Sequence, residues 1–105
     1  MDTVLITGTT SGIGKAFAEK FASMGNNLVL VSRNRDKLQQ QQIDLQSRYQ
    51  VSVEYISCDL AEVDAVEMIM EKIHSWGLSV DVLVNNAGFN EAGALRIPAS
   101  QMSLI

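Results

Sequence analysis

Eight residues near the N-terminus, Thr7-Gly8-Thr9-Thr10-Ser11-Gly12-Ile13-Gly14, combine three glycines with four hydroxyl side chains. That combination suits anion binding. Val4, Leu5 and Ile6 before it are β-prone, and a helical apolar period begins at Ile13, so the glycines sit where a strand turns into a helix. Such a turn aims free backbone N–H groups and the positive end of the helix dipole at one point. Gly8 permits a tight turn, Gly12 lets a pyrophosphate approach the backbone, and Gly14 lets the helix pack close to the strand. A turn without a ligand requires fewer of these residues. The spacing is G-x-x-x-G-x-G, which departs from the commoner G-x-G-x-x-G while keeping its mechanism. A nucleoside-triphosphate loop fits worse, because Ile13 stands where that motif needs a glycine and Ala16, after Lys15, cannot ligate magnesium.

The elements around this loop alternate strand and helix. The spacing of Ile13, Phe17, Phe21 and Met24 predicts the inner face of a first helix, ended at Gly25-Asn26-Asn27. Leu28 to Ser32 reads as a second strand. Asn34 is placed to cap a polar helix running to about Tyr49, with Leu38, Leu45 and Tyr49 inward and Gln39 to Gln42 on a solvated face. Val51, Val53 and Tyr55 alternate as a third strand. Glu62 to Trp76 follows as a helix in which Met68, Met70 and Trp76 are packing residues and His74 is an exposed residue favoured by the dipole. Val80 to Val84, apolar except for Asp81, predicts a fourth strand buried on both sides. Tight strand-helix alternation implies a parallel sheet with right-handed crossovers. The expected fold class is therefore α/β: the N-terminal half of a Rossmann-type doubly wound sheet, β-α-β-α-β-α-β, in the order 3-2-1-4.

Composition narrows the function classes. A chain of 105 residues with 47% hydrophobic residues and one proline supports a single packed domain. Its net charge of −4, without a basic cluster, leaves no electrostatic footprint for nucleic acid. Its apolar runs fall far short of the roughly 20 residues that span a bilayer, and no signal peptide is visible. One cysteine, Cys58, excludes a disulfide framework or a cysteine metal site within one chain, and a reducing cytoplasm is the expected setting.

A second constellation, Asn85-Asn86-Ala87-Gly88, falls at the end of the fourth strand, beside the end of the first in the expected sheet order. With Thr7 to Gly14 it makes the chain resemble the short-chain dehydrogenase/reductase family over essentially its whole length. The resemblance implies that Gly8, Thr10, Ser11, Gly12, Ile13 and Gly14 line a dinucleotide, with Asn86, Ala87 and Gly88 on the cofactor side. It also implies that Asp59 and Leu60 lie near the adenine. Asn85 and Asn86 can bond exposed backbone ends, while Ala87 and Gly88 leave room for a ribose; the weaker alternative is that the asparagines serve the protein alone.

Cofactor choice is legible at the end of the second strand. An acid there favours a ribose 2′-hydroxyl, whereas an arginine favours a 2′-phosphate. Ser32-Arg33-Asn34-Arg35 offers Arg33 and no carboxylate before Asp36, so the expected cofactor is NADP(H). The family's Tyr-x-x-x-Lys is missing, since Val53 follows Tyr49 and Asp59 follows Tyr55 at that spacing. No catalytic residue is assigned, and Ser100 and Ser103 do not qualify. The expectation is the cofactor-binding portion of a carbonyl or alcohol oxidoreductase whose catalytic half lies downstream. The alternatives are a silent dinucleotide-binding module and a non-functional remnant. Phe89, Leu95 and Ile97 would border an apolar substrate. The isolated polypeptide is expected to be marginal or aggregation-prone, with homo-oligomers possible, because its fourth strand would expose a flat edge.

Overall fold

The computed structural model describes residues 2–10 and 12–86. They form β1 (Thr3–Thr7), α1 (Gly12–Ser23), β2 (Asn27–Ser32), α2 (Arg35–Tyr49), β3 (Val53–Ser57), α3 (Ala65–Ser75) and β4 (Val82–Asn85). All pairings are parallel and the sheet order is β3-β2-β1-β4, as the strand-helix alternation requires. Register puts Val4 beside both Leu28 and Val82, and Leu28 beside Val53.

Alternation along the strands builds two cores. Val4, Ile6, Leu28, Leu30 and Val53 face α1 and α2, where they meet Ala18, Ala22, Leu38 and Leu45. Leu5, Val29, Val31 and Ile56 face the other way, against Ile69, Met70 and Ile73 of α3. Both faces of β1 and β2 are therefore covered, which explains their unbroken apolar sequences. Met68, Met70 and Trp76 pack in the α3 layer, and His74 is exposed.

The inner face of α1 differs from the one its large apolar residues predict. Ile13, Phe17 and Met24 are 58%, 40% and 63% exposed, whereas Gly14, Ala18 and Ala22 are buried. The helix approaches the sheet so closely that only residues with small side chains fit between them, and Phe21 alone of the predicted four packs at the margin. Helical spacing is kept, but the stripe is rotated onto i, i+4, i+8.

In α2, Asn34 caps as expected, its side-chain oxygen accepting from the Lys37 N–H at 3.0 Å. Only half of the glutamine run is a solvated face: Gln39 and Gln40 are exposed, whereas Gln41 and Gln42 are half-buried. Gln41 Nε2 donates to the Thr9 carbonyl at 2.8 Å, and Gln42 Nε2 donates to the Val53 carbonyl at 2.6 Å. Gln46 Oε1 accepts from the Val53 N–H at 3.1 Å. Gln41 and Gln42 stand between Leu38 and Leu45 at the spacing of the buried face, so the same periodicity that places the leucines inward carries these amides with them. At the other side of the helix, Arg48 bonds Glu19 of α1 at 2.6 Å and Asp44 at 2.9 Å, and these carboxylates hold its guanidinium firmly protonated.

Two boundaries also move. Helix α3 starts at Ala65, because Asp59 Oδ1 takes the Ala61 N–H at 2.9 Å and the next residues close two turns through the Asp59 and Glu62 carbonyls. Strand β4 is half-buried throughout, less than the apolar run Val82 to Val84 implies, and pairs only with β1 among the described residues. Its start is fixed at both ends of one contact: Thr3 N–H donates to Asp81 Oδ2 at 2.9 Å, and Asp81 N–H donates to the Thr3 carbonyl at 2.9 Å.

The corrected face of α1 is directly testable. Ala18→Leu overpacks the helix-sheet contact and is expected to lower unfolding free energy by about 1–3 kcal/mol. Met24→Gln, on the exposed side, is expected to change it by less than about 0.5 kcal/mol. Urea unfolding followed by circular dichroism measures both; the reverse order of effects would restore the large apolar face as the buried one.

Candidate functional site

The C-terminal ends of β1 and β4 lie side by side, with Thr7 paired to Asn85. Thr7 Oγ1 donates to Asn85 Oδ1 at 3.1 Å across that pair. One residue further, Asn86 is 2% exposed and its Nδ2 donates to the Gly8 carbonyl at 3.3 Å. The glycine loop and the Asn85-Asn86 pair are thereby joined through the asparagine side chains. Gly8 turns the chain away from the sheet with φ +67° while its N–H still reaches the Val31 carbonyl at 2.8 Å.

Gly14 closes the arrangement. A Cβ there would stand 1.9 Å from the Gly8 carbonyl oxygen and 2.6 Å from Asn86 Nδ2, so no side chain is possible without moving the backbone. Gly12 is the opposite case: its φ of +58° disfavours a side chain, but a Cβ would meet nothing within 4 Å. Its surroundings are open at the amino end of α1, whose first turn carries no acidic residue. Backbone N–H groups and helix dipole therefore face a region from which no carboxylate of that turn repels an anion.

The loop is also tied sideways to β2. Thr10 Oγ1 lies 3.1 Å from Ser32 Oγ in a hydrogen bond, and Ser32 is 4% exposed at the very end of its strand. Arg33 follows, exposed, with its carbonyl accepting from Ser57 Oγ at 3.1 Å. Cys58 N–H donates to the Ser32 carbonyl, which brings the end of β3 into the same row.

Gly8, Gly14 and Asn86 thus converge on one contact, and Thr10 and Arg33 flank a second. Ile13 is on the exposed side of the first helical turn. Asp59 is half-buried in its own turn, and the Leu60 side chain is buried in the α3 core, where it serves packing. Ser11, Ala87 and Gly88 lie outside the described residues, as do Phe89, Leu95 and Ile97. Sequence reasoning missed Ser32, whose place beside Arg33 was the available signal, and Gln41, whose signal was its spacing from Leu38 and Leu45. Among the described residues no cluster of His, Cys, Asp and Glu could hold a metal ion. Burial pushes the Cys58 thiol up to about 11, with the neighbouring Asp59 carboxylate adding to the shift.

Two measurements follow from this geometry. Gly14→Ala is expected to cost about 3 kcal/mol or more, through the backbone clash, whereas Gly12→Ala is expected to cost only the left-handed penalty of about 1–2 kcal/mol. Equal midpoints for the two variants in denaturant would contradict the close approach. Cys58, raised from an ordinary 9.0 to about 11, is expected to react with a disulfide reagent at pH 8 about tenfold more slowly in the folded chain than after denaturation, because the loss of thiolate outweighs its greater nucleophilicity. Similar rates in both states would show that its thiol is not shielded.

Comparison with known proteins agrees with the arrangement. The sequence profile of the short chain dehydrogenase family matches residues 2–103. Very-long-chain 3-oxoacyl-CoA reductase-B of Danio rerio is 44% identical over 86 residues, covering 80% of this chain and 26% of that protein. The Homo sapiens very-long-chain 3-oxoacyl-CoA reductase is 38% identical, covering 82% and 27%. Among solved structures, L-sorbose reductase from Gluconobacter frateurii, complexed with NADPH and L-sorbose, superposes with a TM-score of 0.78 at 39% identity, over 83% of this chain and 33% of that one. A short-chain dehydrogenase from Sphingobium yanoikuyae in complex with NADPH gives 0.74 at 36% identity, over 83% and 34%. The chain spans about a quarter of the length of these curated relatives. With its glycine loop joined to Asn85 and Asn86 at the fork of β1 and β4, this chain belongs to the short-chain dehydrogenase family.

Proposed function

We propose that the chain binds NADP(H) at the fork of β1 and β4 and forms the cofactor-binding portion of a carbonyl or alcohol oxidoreductase. The observation that carries this reading is the meeting of Gly8, Gly14 and Asn86 at one contact, because it holds a glycine loop at the end of a strand with open space at Gly12. The fit to a dinucleotide is chemical as well as steric. Asn86 Oδ1 is buried with no hydrogen-bond partner among the described residues, an acceptor at the site's edge. The amino end of α1, with Gly12, would take the pyrophosphate.

Arg33 and the absence of a carboxylate between Ser32 and Asp36 favour a 2′-phosphate over a free 2′-hydroxyl. Relatives solved with NADPH support the same choice. When bound, the nicotinamide supplies hydride transfer, and the protein's part is to bind and orient it. Relatives that reduce a 3-oxoacyl-CoA or L-sorbose support a carbonyl as the reacting group. The lone cysteine supports a reducing, cytoplasmic setting, and no helix among the described residues is long and apolar enough to cross a membrane.

Neither tyrosine of the sequence stands four residues before a lysine. Within these 105 residues the reading is therefore one of binding and orientation, with hydride chemistry completed by the further length seen in the relatives. That same observation favours, as a second reading, a dinucleotide-binding module without turnover.

Fluorescence titration with NADPH and NADH tests the proposal. The parent chain is expected to prefer NADPH, and Arg33→Ala to weaken it by roughly 10–100-fold, the worth of a charge-assisted contact of about 1.5–3 kcal/mol, while NADH binding changes little. Equal affinity of the parent for both cofactors would overturn the choice of NADP(H). Turnover of a ketone by the 105-residue chain alone would contradict the binding-only assignment.

A further inference from the structure

The glycine loop is held from a third side, by a residue outside every motif of the family resemblance. Thr9 is completely buried, and its carbonyl accepts from Gln41 Nε2 at 2.8 Å. A carbonyl can only accept, so the donor end of the amide must be the one that faces it. Helix α2 is in turn fixed by its buried leucines Leu38 and Leu45, and by Gln42 and Gln46 on the backbone of Val53. The loop is thus braced against an element anchored independently of it.

We propose that Gln41 is a positioning residue for the NADP(H) site, acting through the Thr9 carbonyl; this rests on the cofactor reading above. The Thr9–Thr10 peptide is trans, so its C=O and N–H point in opposite directions. Anchoring the carbonyl on α2 turns the Thr10 N–H away from α2. The Thr10 hydroxyl is meanwhile bonded to Ser32, the neighbour of Arg33. Gln41 and Ser32 together fix both the peptide plane and the side chain of the loop's central residue. Losing the Gln41 donor leaves a buried carbonyl unsatisfied, and the cheapest remedy is for that peptide to rotate toward water. Rotation would disorder the donors at the loop while leaving the apolar cores untouched.

The side chain borders a cleft of about 410 Å³ between α1 and α2, lined also by Thr10, Lys15, Lys37 and Asp44, so variants of equal length have room. Gln41→Met keeps the length and removes the donor. Gln41→Glu keeps the shape, but its carboxylate faces the Thr9 carbonyl with an oxygen; protonation returns an O–H donor. Calorimetric titration of the full 105-residue chain with NADP+, which survives mild acid, reads the effect, alongside the unfolding midpoint without cofactor.

Both variants are expected to stay folded and to bind NADP+ about tenfold more weakly at pH 8, the equivalent of one buried hydrogen bond. Gln41→Glu is expected to regain affinity relative to the parent as pH falls toward 5, while Gln41→Met does not. That recovery is not produced by a residue that merely fills space. Variants that bind as tightly as the parent, or that lose their fold, overturn the proposal; the second result assigns Gln41 to stability. A folded parent chain that binds no NADP+ overturns the cofactor reading itself and this inference with it.

Discussion

The structure depends on one close approach, that of Gly14 to the Gly8 carbonyl and the Asn86 amide. There is no room at this point for even a methyl group. The contact sets how near α1 lies to the sheet, and the consequence runs along the whole helix. Ala18 and Ala22 continue the line of Gly14, each nearly or fully buried, because a helix seated that close at its first turn admits only small side chains at the following turns. The same approach places the amino end of the helix directly beyond β1, where its dipole and unpaired N–H groups are concentrated. Packing and anion-binding capacity are thus two results of one steric condition.

The second helix solves a different problem by polar means. It buries only Leu38 and Leu45, too little apolar area to hold a 15-residue helix by packing alone. Amides make up the difference. Val53 opens β3, the edge strand opposite β4, and a parallel edge leaves alternate backbone groups without a strand partner. Gln46 takes its N–H and Gln42 its carbonyl, so the helix completes locally the ladder that a further strand would supply. These bonds also shield the start of the edge from pairing with another chain.

How much of this was legible in the sequence depended on whether the cause was local. The glycine loop, the Asn34 cap, the strand order and the pairing of the two motifs follow from backbone requirements that particular residue types advertise. The buried face of α1 did not follow, because periodicity finds where large apolar residues recur, and here proximity selected the small ones. Gln41 and Gln42 were misread for a related reason: polar character suggested solvent, where Gln39 and Gln40 do lie, although the misread pair stands at the spacing of the leucines. The apolar run in β4 signalled burial on both faces, whereas the strand is half-buried throughout; its open edge, with β1 the one neighbour among the described residues, is as expected. The start of α3 turned on a single side-chain bond from Asp59, which competes with the helix for the same backbone groups.

The topology explains why these local devices meet where they do. Helices α1 and α2 cover one face of the sheet and α3 the other, so the chain leaves β1 toward one side and enters β4 from the opposite side. Between those strands the connections diverge, and the carboxyl ends are left as a fork. A fork alone would be loose. Here the Thr7 and Asn85 side chains bridge its two strand ends, Asn86 ties the second strand to the loop, and Thr10 ties the loop to Ser32. Arg33, next to Ser32 in the chain, and the glycine loop are consequently parts of one bonded unit. The position of Arg33 cannot then be separated from the geometry of the loop: a shift of β2 carries Ser32, and with it Thr10, in the same direction.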